Sequence, residues 1–440
     1  MPGLRIALVT TFYPPFHFGG DAIFLRRLAH GLVRRGHNVE VIHDVDAFKL
    51  LHRGEMPQPA VEPEGVVTHP LQSHWGSMSC LATQQTGRPV VHGRRIRQIL
   101  EHGRFDVIHF HNISLVGGPG ILDFGTAIKL YMAHEHWLVC PSHVLWRHNR
   151  ELCTGRQCLR CVMHYGRPPQ LWRYTGLLER KVRAIDAFIS PSAFSADKHQ
   201  EFGFSRRLEV IPYFLPDLDS GAESEEYHGE GERSRPYFLF VGRLEKIKGL
   251  QDVLPSFYDN PPADLVVVGT GEYEAELRQQ ARHSAHIVFL GSKTPEQLRQ
   301  LYRGALAVIV PSVCFETFGI VVLEAFRDRT PVIVRNLGPL PEIVRDSGGG
   351  LVFETRDELS AAIRQFAQDP AARQEMADAG HQALQNRWVE SVVIEQYFDL
   401  IRRLAVERGA ARVLEELGPA VGGRIAAAST QPTNQTGGLH

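Results

Sequence analysis

No apolar run among the 440 residues approaches the ~18–20 needed to cross a bilayer, which argues against a membrane-spanning chain. The opening stretch MPGLRIALVTTF is apolar but short. It lacks a small-residue cleavage site, so it reads as a strand and not as an export leader. A cytoplasmic location with reduced cysteines is the expectation. Net charge is nearly absent too, at −1. The hydrophobic share of 43% and the charged share of 22% are ordinary for a soluble globular protein, and the length allows two or three domains with full cores.

The small net charge hides an uneven distribution. Residues 1–215 hold 25 Lys+Arg against 17 Asp+Glu, and the remainder holds 23 against 32. A basic first half and an acidic second half suggest two domains facing different partners; the plainer account is a chance imbalance over solvated faces.

RIALVTTF, from Arg5, has the pattern of a buried strand, and the Pro/Gly-rich turn YPPFHFGG follows it. Leu25, Leu28, Ala29 and Leu32 then recur at helical spacing, with Asp21 as a cap and Gly36 as a stop. NVEVI is the next strand. A strand, a glycine turn, a helix and a strand make the first step of a parallel doubly wound sheet. The alternation continues through FDVIHFHN, IKLYMAHE, AFISPS and RLEVIPY. Residues 216–235 are polar and aperiodic, and read as a linker. A second series (YFLFVGRL, DLVVVGTG, HIVFLG, LAVIVPS, PVIVR, GLVFE) predicts a second parallel sheet over 236–387. Residues 388–418 read as C-terminal helices, the first amphipathic and crossing back to the first domain. Residues 419–440 lack large apolar side chains and read as a disordered tail.

In open parallel sheets, ligands bind beyond the carboxyl ends of the strands, and the candidate residues cluster there. Gly19 and Gly20 precede a helix whose amides could receive a phosphate, although most such glycine pairs only make a turn. Arg243 and Lys248, in VGRLEKIKG, follow a buried strand and suit a diphosphate, the first as a planar fork and the second as a point charge. Two exposed cations at a helix start would look the same. In PSVCFETFGIVVLEA, Glu316 lies in a loop after a strand and Glu324 lies within the following helix. Glu316 could accept two sugar hydroxyls and Glu324 a ribose diol, while the amides around Phe318 and Gly319 point out of the strand end.

Taken in order, YPPFHFGG, DVIHFHN, AHEHWLVCP, VGRLEKIKG, VVVGTGE and ETFGIVVLEA resemble glycosyltransferase family 4 over most of residues 1–405. The resemblance implies an α/β chain of the GT-B fold, two facing Rossmann-like domains each with a parallel sheet. It implies a retaining, metal-independent transfer of a sugar from a nucleoside-diphosphate sugar to an acceptor hydroxyl. It implies that Gly20 approaches the distal phosphate beside Gly19, that Arg243 and Lys248 neutralise the leaving group, and that Glu316 holds the sugar and Glu324 the ribose. Thr317, Phe318 and Gly319 would complete the sugar–phosphate pocket, with Gly269, Gly271, Ser292 and Lys293 near the base. His134 would face the reaction centre from the first domain; a satisfied interior histidine is its other reading. Asp44–Asp46, the DVD stretch, resembles a metal motif of the other large glycosyltransferase fold and is read here as coincidence. A GT-B phosphorylase, a nucleotide-sugar epimerase and a catalytically silent zinc-stapled subunit are the alternatives.

Cys140, Cys153, Cys158 and Cys161 fall in an insertion at about 140–175. Four thiolates complete a zinc tetrahedron, with His143, His148 and His164 as substitute ligands. An iron–sulfur run and free or redox-active thiols are the other readings. No cofactor is expected for catalysis. Beyond the insertion, Tyr165, Trp172 and Tyr174 mix with Arg167, Arg173, Arg180, Lys181 and Arg183. Such a stretch could rest peripherally on the anionic inner face of a membrane or hold an anionic acceptor, or be a solvated helix with packed aromatics. No nucleic-acid partner is expected.

Overall fold

The computed structural model describes residues 3–52, 54–58, 61–217 and 235–418. Most of the expected linker and the whole of the expected tail, 419–440, lie outside the described residues.

In the first half the strands are β1 (Arg5–Val9), β2 (Asn38–Asp44), β3 (Val66–Leu71), β4 (Val107–Phe110) and β5 (Ile128–Met132), followed by the short β6 (Trp146–Arg147) and β7 (Glu151–Leu152), then β8 (Ala187–Ser190) and β9 (Leu208–Val210). Apolar side chains on both faces of β4 and β5 are buried, as covered parallel strands require. The sheet order is β3-β2-β1-β4-β5-β8-β9, parallel throughout, with β6 and β7 set apart as an antiparallel pair. The second half supplies β10 (Tyr237–Val241), β11 (Asp264–Val268), β12 (Ile287–Phe289), β13 (Val308–Val310), β14 (Val332–Arg335) and β15 (Gly350–Phe353). Their order is β12-β11-β10-β13-β14-β15, again parallel.

The strand order reverses between β1 and β4 and again between β10 and β13. Loops leaving such neighbours turn to opposite faces of the sheet and open a crevice at the carboxyl edge. The first helix, Gly20–Arg34, follows β1; the Ile320–Arg327 helix follows β13. The first helix is capped by Gly19, and Asp21 lies inside its first turn, where its charge favours the positive helix end. That corrects the sequence expectation of Asp21 as the cap: the chain turns two residues earlier, at the glycine pair.

One apolar cluster joins the halves, running from Leu8, Phe24 and Leu28 through Tyr213 and Phe214 to Phe318, Phe326 and Trp388. The chain crosses between halves twice, and the crossings are tied: the Leu215 amide donates to the Trp388 carbonyl at 2.9 Å, and Asp217 accepts from the Ser391 amide at 3.1 Å. The Glu390–Arg408 helix then returns to the first half. Its buried Glu390 receives Arg34 and, at 2.7 Å, Arg35, while Arg408 reaches Asp186 at 2.9 Å. Replacing Glu390 by Gln should lower the urea midpoint by an amount worth about 2 kcal/mol, the scale of a charged hydrogen bond lost from a buried site. An unchanged midpoint would show that the return helix does not depend on this pair.

Candidate active site

The crevice brings two helix starts together. A Cβ placed on Gly20 would lie 3.6 Å from Ile320 Cγ2, so the opening turn of the Gly20–Arg34 helix abuts that of the Ile320–Arg327 helix. Gly319, the cap of the latter, has φ +114°, and a Cβ there would meet Leu340 Cδ2 at 2.6 Å, so only glycine fits. Free amides and the positive ends of both helices are therefore offered to one space, which favours an anion.

Beside them, Lys248 Nζ donates to Glu316 Oε1 at 2.7 Å, and Ser312 Oγ donates to the same oxygen at 2.7 Å. The Lys248 and Glu316 side chains are 23% and 20% exposed, enough for a ligand to reach them. Burial would raise the Glu316 carboxyl, but Lys248, Ser312 and Arg243 outweigh it, and the group sits below the ordinary value. Burial likewise opposes the Lys248 ammonium, and Glu316 more than offsets it. Both are charged at neutral pH. Arg243 is more open and holds Glu245. Glu324 accepts from Tyr302 OH at 3.1 Å and faces Arg27 of the first half at 3.8 Å.

Thr317 joins the halves directly. Its hydroxyl donates to the His134 carbonyl at 2.9 Å, and its carbonyl accepts from Ser192 Oγ at 2.7 Å. Phe318 is buried, its ring 5.4 Å from that of Tyr213. His134 itself is buried, which lowers its pKa, and both ring nitrogens are engaged: Nε2 with His111 Nδ1 at 2.7 Å and Nδ1 with Tyr213 OH at 2.6 Å. Its backbone carbonyl meets the second half, while its ring is taken up within the first. Gly269, at φ +132°, backs so closely onto β10 that a Cβ would lie 1.9 Å from the Gly242 carbonyl oxygen, and Gly271 approaches Leu244 in the same way. The Gly269 amide bonds the Gly291 carbonyl at 2.9 Å, which draws Ser292 and Lys293 to this edge of the crevice. Ser312, Tyr302, Arg27, Ser192 and Tyr213 did not emerge from the sequence. The signal for the two serines was their place just past strands β13 and β8.

The four insertion cysteines lie outside this pocket, around a small cavity of their own. Trp172 is buried and Arg173 sits over both its ring and that of Trp137, whereas Tyr174 is exposed. Among the described residues no helix is long and apolar enough to cross a membrane.

The DVD residues form a network at the end of β2. Asp46 Oδ2 accepts from the Ser73 amide at 3.0 Å, the Ser73 hydroxyl at 2.7 Å and His92 Nε2 at 3.1 Å. Asp44 Oδ1 caps the following helix through the Ala47 amide at 3.0 Å, and its Oδ2 has no partner. Ligand atoms of Asp44, Asp46 and His92 all lie within 4.8 Å of one another. Burial, with Asp46 adding to it, raises the Asp44 carboxyl to about 7. The folded chain thus keeps a proton that the unfolded chain releases near ~4, so this contribution favours folding in acid and is lost as pH rises through about 7. Asp44→Asn keeps the cap. It should flatten the fall in urea stability between about pH 4 and pH 7; an unaltered slope would place the proton elsewhere.

Residues 19–213 match the family model described as "Glycosyl transferase 4-like domain", and residues 224–383 match "Glycosyl transferases group 1". An uncharacterized glycosyltransferase of Methanocaldococcus jannaschii is 27% identical over 79% of this chain and 84% of its own length. The phosphatidyl-myo-inositol mannosyltransferase of Mycobacterium tuberculosis is 25% identical over 91% of this chain and 97% of its own. Among solved structures, sucrose-phosphate synthase from Thermosynechococcus elongatus superposes with a TM-score of 0.68 at 19% identity, over 92% of this chain and 100% of that one. Anabaena HepE in complex with UDP gives 0.62 at 18% identity, over 91% and 100%. The chain belongs to glycosyltransferase family 4, with the GT-B fold of two facing Rossmann-like domains.

Proposed function

We propose that the protein is a retaining, metal-independent glycosyltransferase that takes its sugar from a nucleoside-diphosphate donor. The observation that carries this reading is the Lys248–Glu316–Ser312 group set beside two converging helix starts. UDP bound to HepE supports a nucleoside diphosphate as the leaving group.

In this reading the bond between the anomeric carbon and the distal phosphate oxygen breaks, and negative charge collects on the diphosphate. Lys248, Arg243 and the amides at Gly20, Phe318 and Gly319 receive that charge in a preorganised site, the kind of stabilisation that contributes most to such transfers. Glu316 is ionised and can only accept hydrogen bonds, which suits sugar hydroxyls and balances Lys248. Glu324, steadied by Tyr302, takes the ribose diol. Gly269, Gly271, Ser292 and Lys293 border the base. The acceptor hydroxyl attacks the face the phosphate leaves, so the anomeric configuration is kept, and its proton passes to the departing phosphate oxygen. His134 acts through position: its carbonyl holds Thr317, and its ring is braced by His111 and Tyr213. The basic first half faces the acceptor, which is a glycan, a lipid-linked saccharide or a metabolite. The same basic face also suits peripheral contact with an anionic membrane.

Release of nucleoside diphosphate from a panel of sugar donors tests this reading. One donor class should turn over equally well with and without added Mg²⁺ or Mn²⁺, and Lys248→Ala should slow it about 10²–10³-fold. Full turnover in Lys248→Ala, or strict dependence on added divalent ion, would overturn it.

A further inference from the structure

Three features of the 140–165 insertion remain unexplained by sugar transfer. The first is the cysteines. Cys140 comes from the loop after β5, Cys153 from the loop after β7, and Cys158 and Cys161 from the Cys158–His164 helix, one turn apart on a shared face. All four line one cavity of about 20 Å³, together with Trp146 and Arg147. None of the four is in a disulfide.

The second is the backbone. Among the described residues seven non-glycine positions have positive φ, and four of them, His143, Leu145, His148 and Asn149, fall in this one stretch. Left-handed non-glycine residues persist only where their surroundings over-determine them. The third is the scarcity of anything apolar to do so. The buried apolar side chains of the stretch besides cysteine are Leu145, Trp146 and Val162, with Phe202 joining Cys140 and Leu145 in one small cluster; that is little to hold some thirty residues, and small units of that kind are stapled by disulfides or metal.

We propose that Cys140, Cys153, Cys158 and Cys161 bind one zinc ion as a closed tetrahedral thiolate site. The sulfurs line the cavity without closing to the spacing of a bound ion, so binding requires the side chains to turn inward to the ~2.3 Å of a zinc–thiolate bond. The surroundings suit the charged product. The His148 amide already points at Cys161 Sγ, at 3.3 Å, and Arg147 lines the cavity, so a donor and a cation meet the excess negative charge of four thiolates on one Zn²⁺. The ion would fix more than its own loop. Phe315, next to Glu316, packs against the Cys140–Leu145–Phe202 core, and His143 holds Glu135, the neighbour of His134, at 2.7 Å. The metal therefore braces both walls of the crevice from outside it and takes no part in the transfer.

Elemental analysis of the purified full-length protein tests this without any activity assay. One zinc per chain is expected. A mercurial titration read with a zinc dye should release it as four thiols react, leaving Cys80 and Cys314 outside the count. Cys158→Ser should lose the ion; if that variant does not fold, cobalt exchange of the wild type should still give the visible spectrum of a tetrahedral thiolate site. Substoichiometric metal, disulfides among the four, iron in place of zinc, or release of zinc without thiol modification would each overturn the proposal. None of those results bears on donor turnover, so the two readings fail separately.

Discussion

The two chain crossings between the halves are fastened to each other, and the geometry of the crevice follows from that joint. Leu215 and Trp388 share a backbone hydrogen bond, Asp217 accepts from the Ser391 amide in the first turn of the helix that begins at Glu390, and that helix is clamped to the first half by Arg34, Arg35 and Arg408. With one side closed in this way, the carboxyl edges of two parallel sheets are left facing each other. Parallel strands deliver helix starts only at that edge, so the positive ends of two helices meet across it. Aromatic packing of Phe24, Tyr213, Phe214 and Phe318 fills the floor.

Charge is matched locally at the site. Lys248 would be costly to hold partly buried without Glu316, and Glu316 without Lys248 and Ser312. Each keeps the other ionised, and both stay exposed enough to exchange their mutual contact for a ligand. In the proposed reading, an arriving diphosphate would take over the lysine and leave the glutamate to accept hydroxyls.

Much of the fold was legible because buried parallel strands read as apolar runs, and because glycine has to stand where the chain turns sharply or backs onto another strand, as at Gly319 and Gly269. Glu316 and Lys248 stood out for a related reason, as charges just past such runs. What stayed hidden were partners chosen by tertiary contact. Nothing local announces that Arg27 faces Glu324, that Ser312 shares Glu316 with Lys248, or that the His134 ring is taken up by His111 and Tyr213. The place within the first half where the Glu390–Arg408 helix lands was hidden likewise: an amphipathic stripe shows that a face is buried but not against which strand. Asp44 and Asp46 looked incidental because Ser73 and His92, which complete their network, lie far along the chain.

The central claim is that two helix starts and Lys248 form a diphosphate site. Calorimetric titration of the native protein with UDP, GDP, ADP and TDP, each beside its nucleoside, tests it most directly. The account predicts that one diphosphate binds and that its nucleoside binds at least about a hundredfold more weakly, a difference of ~2.7 kcal/mol assigned to the phosphates. Equal binding of nucleoside and diphosphate, or no binding by any of the four, would contradict it.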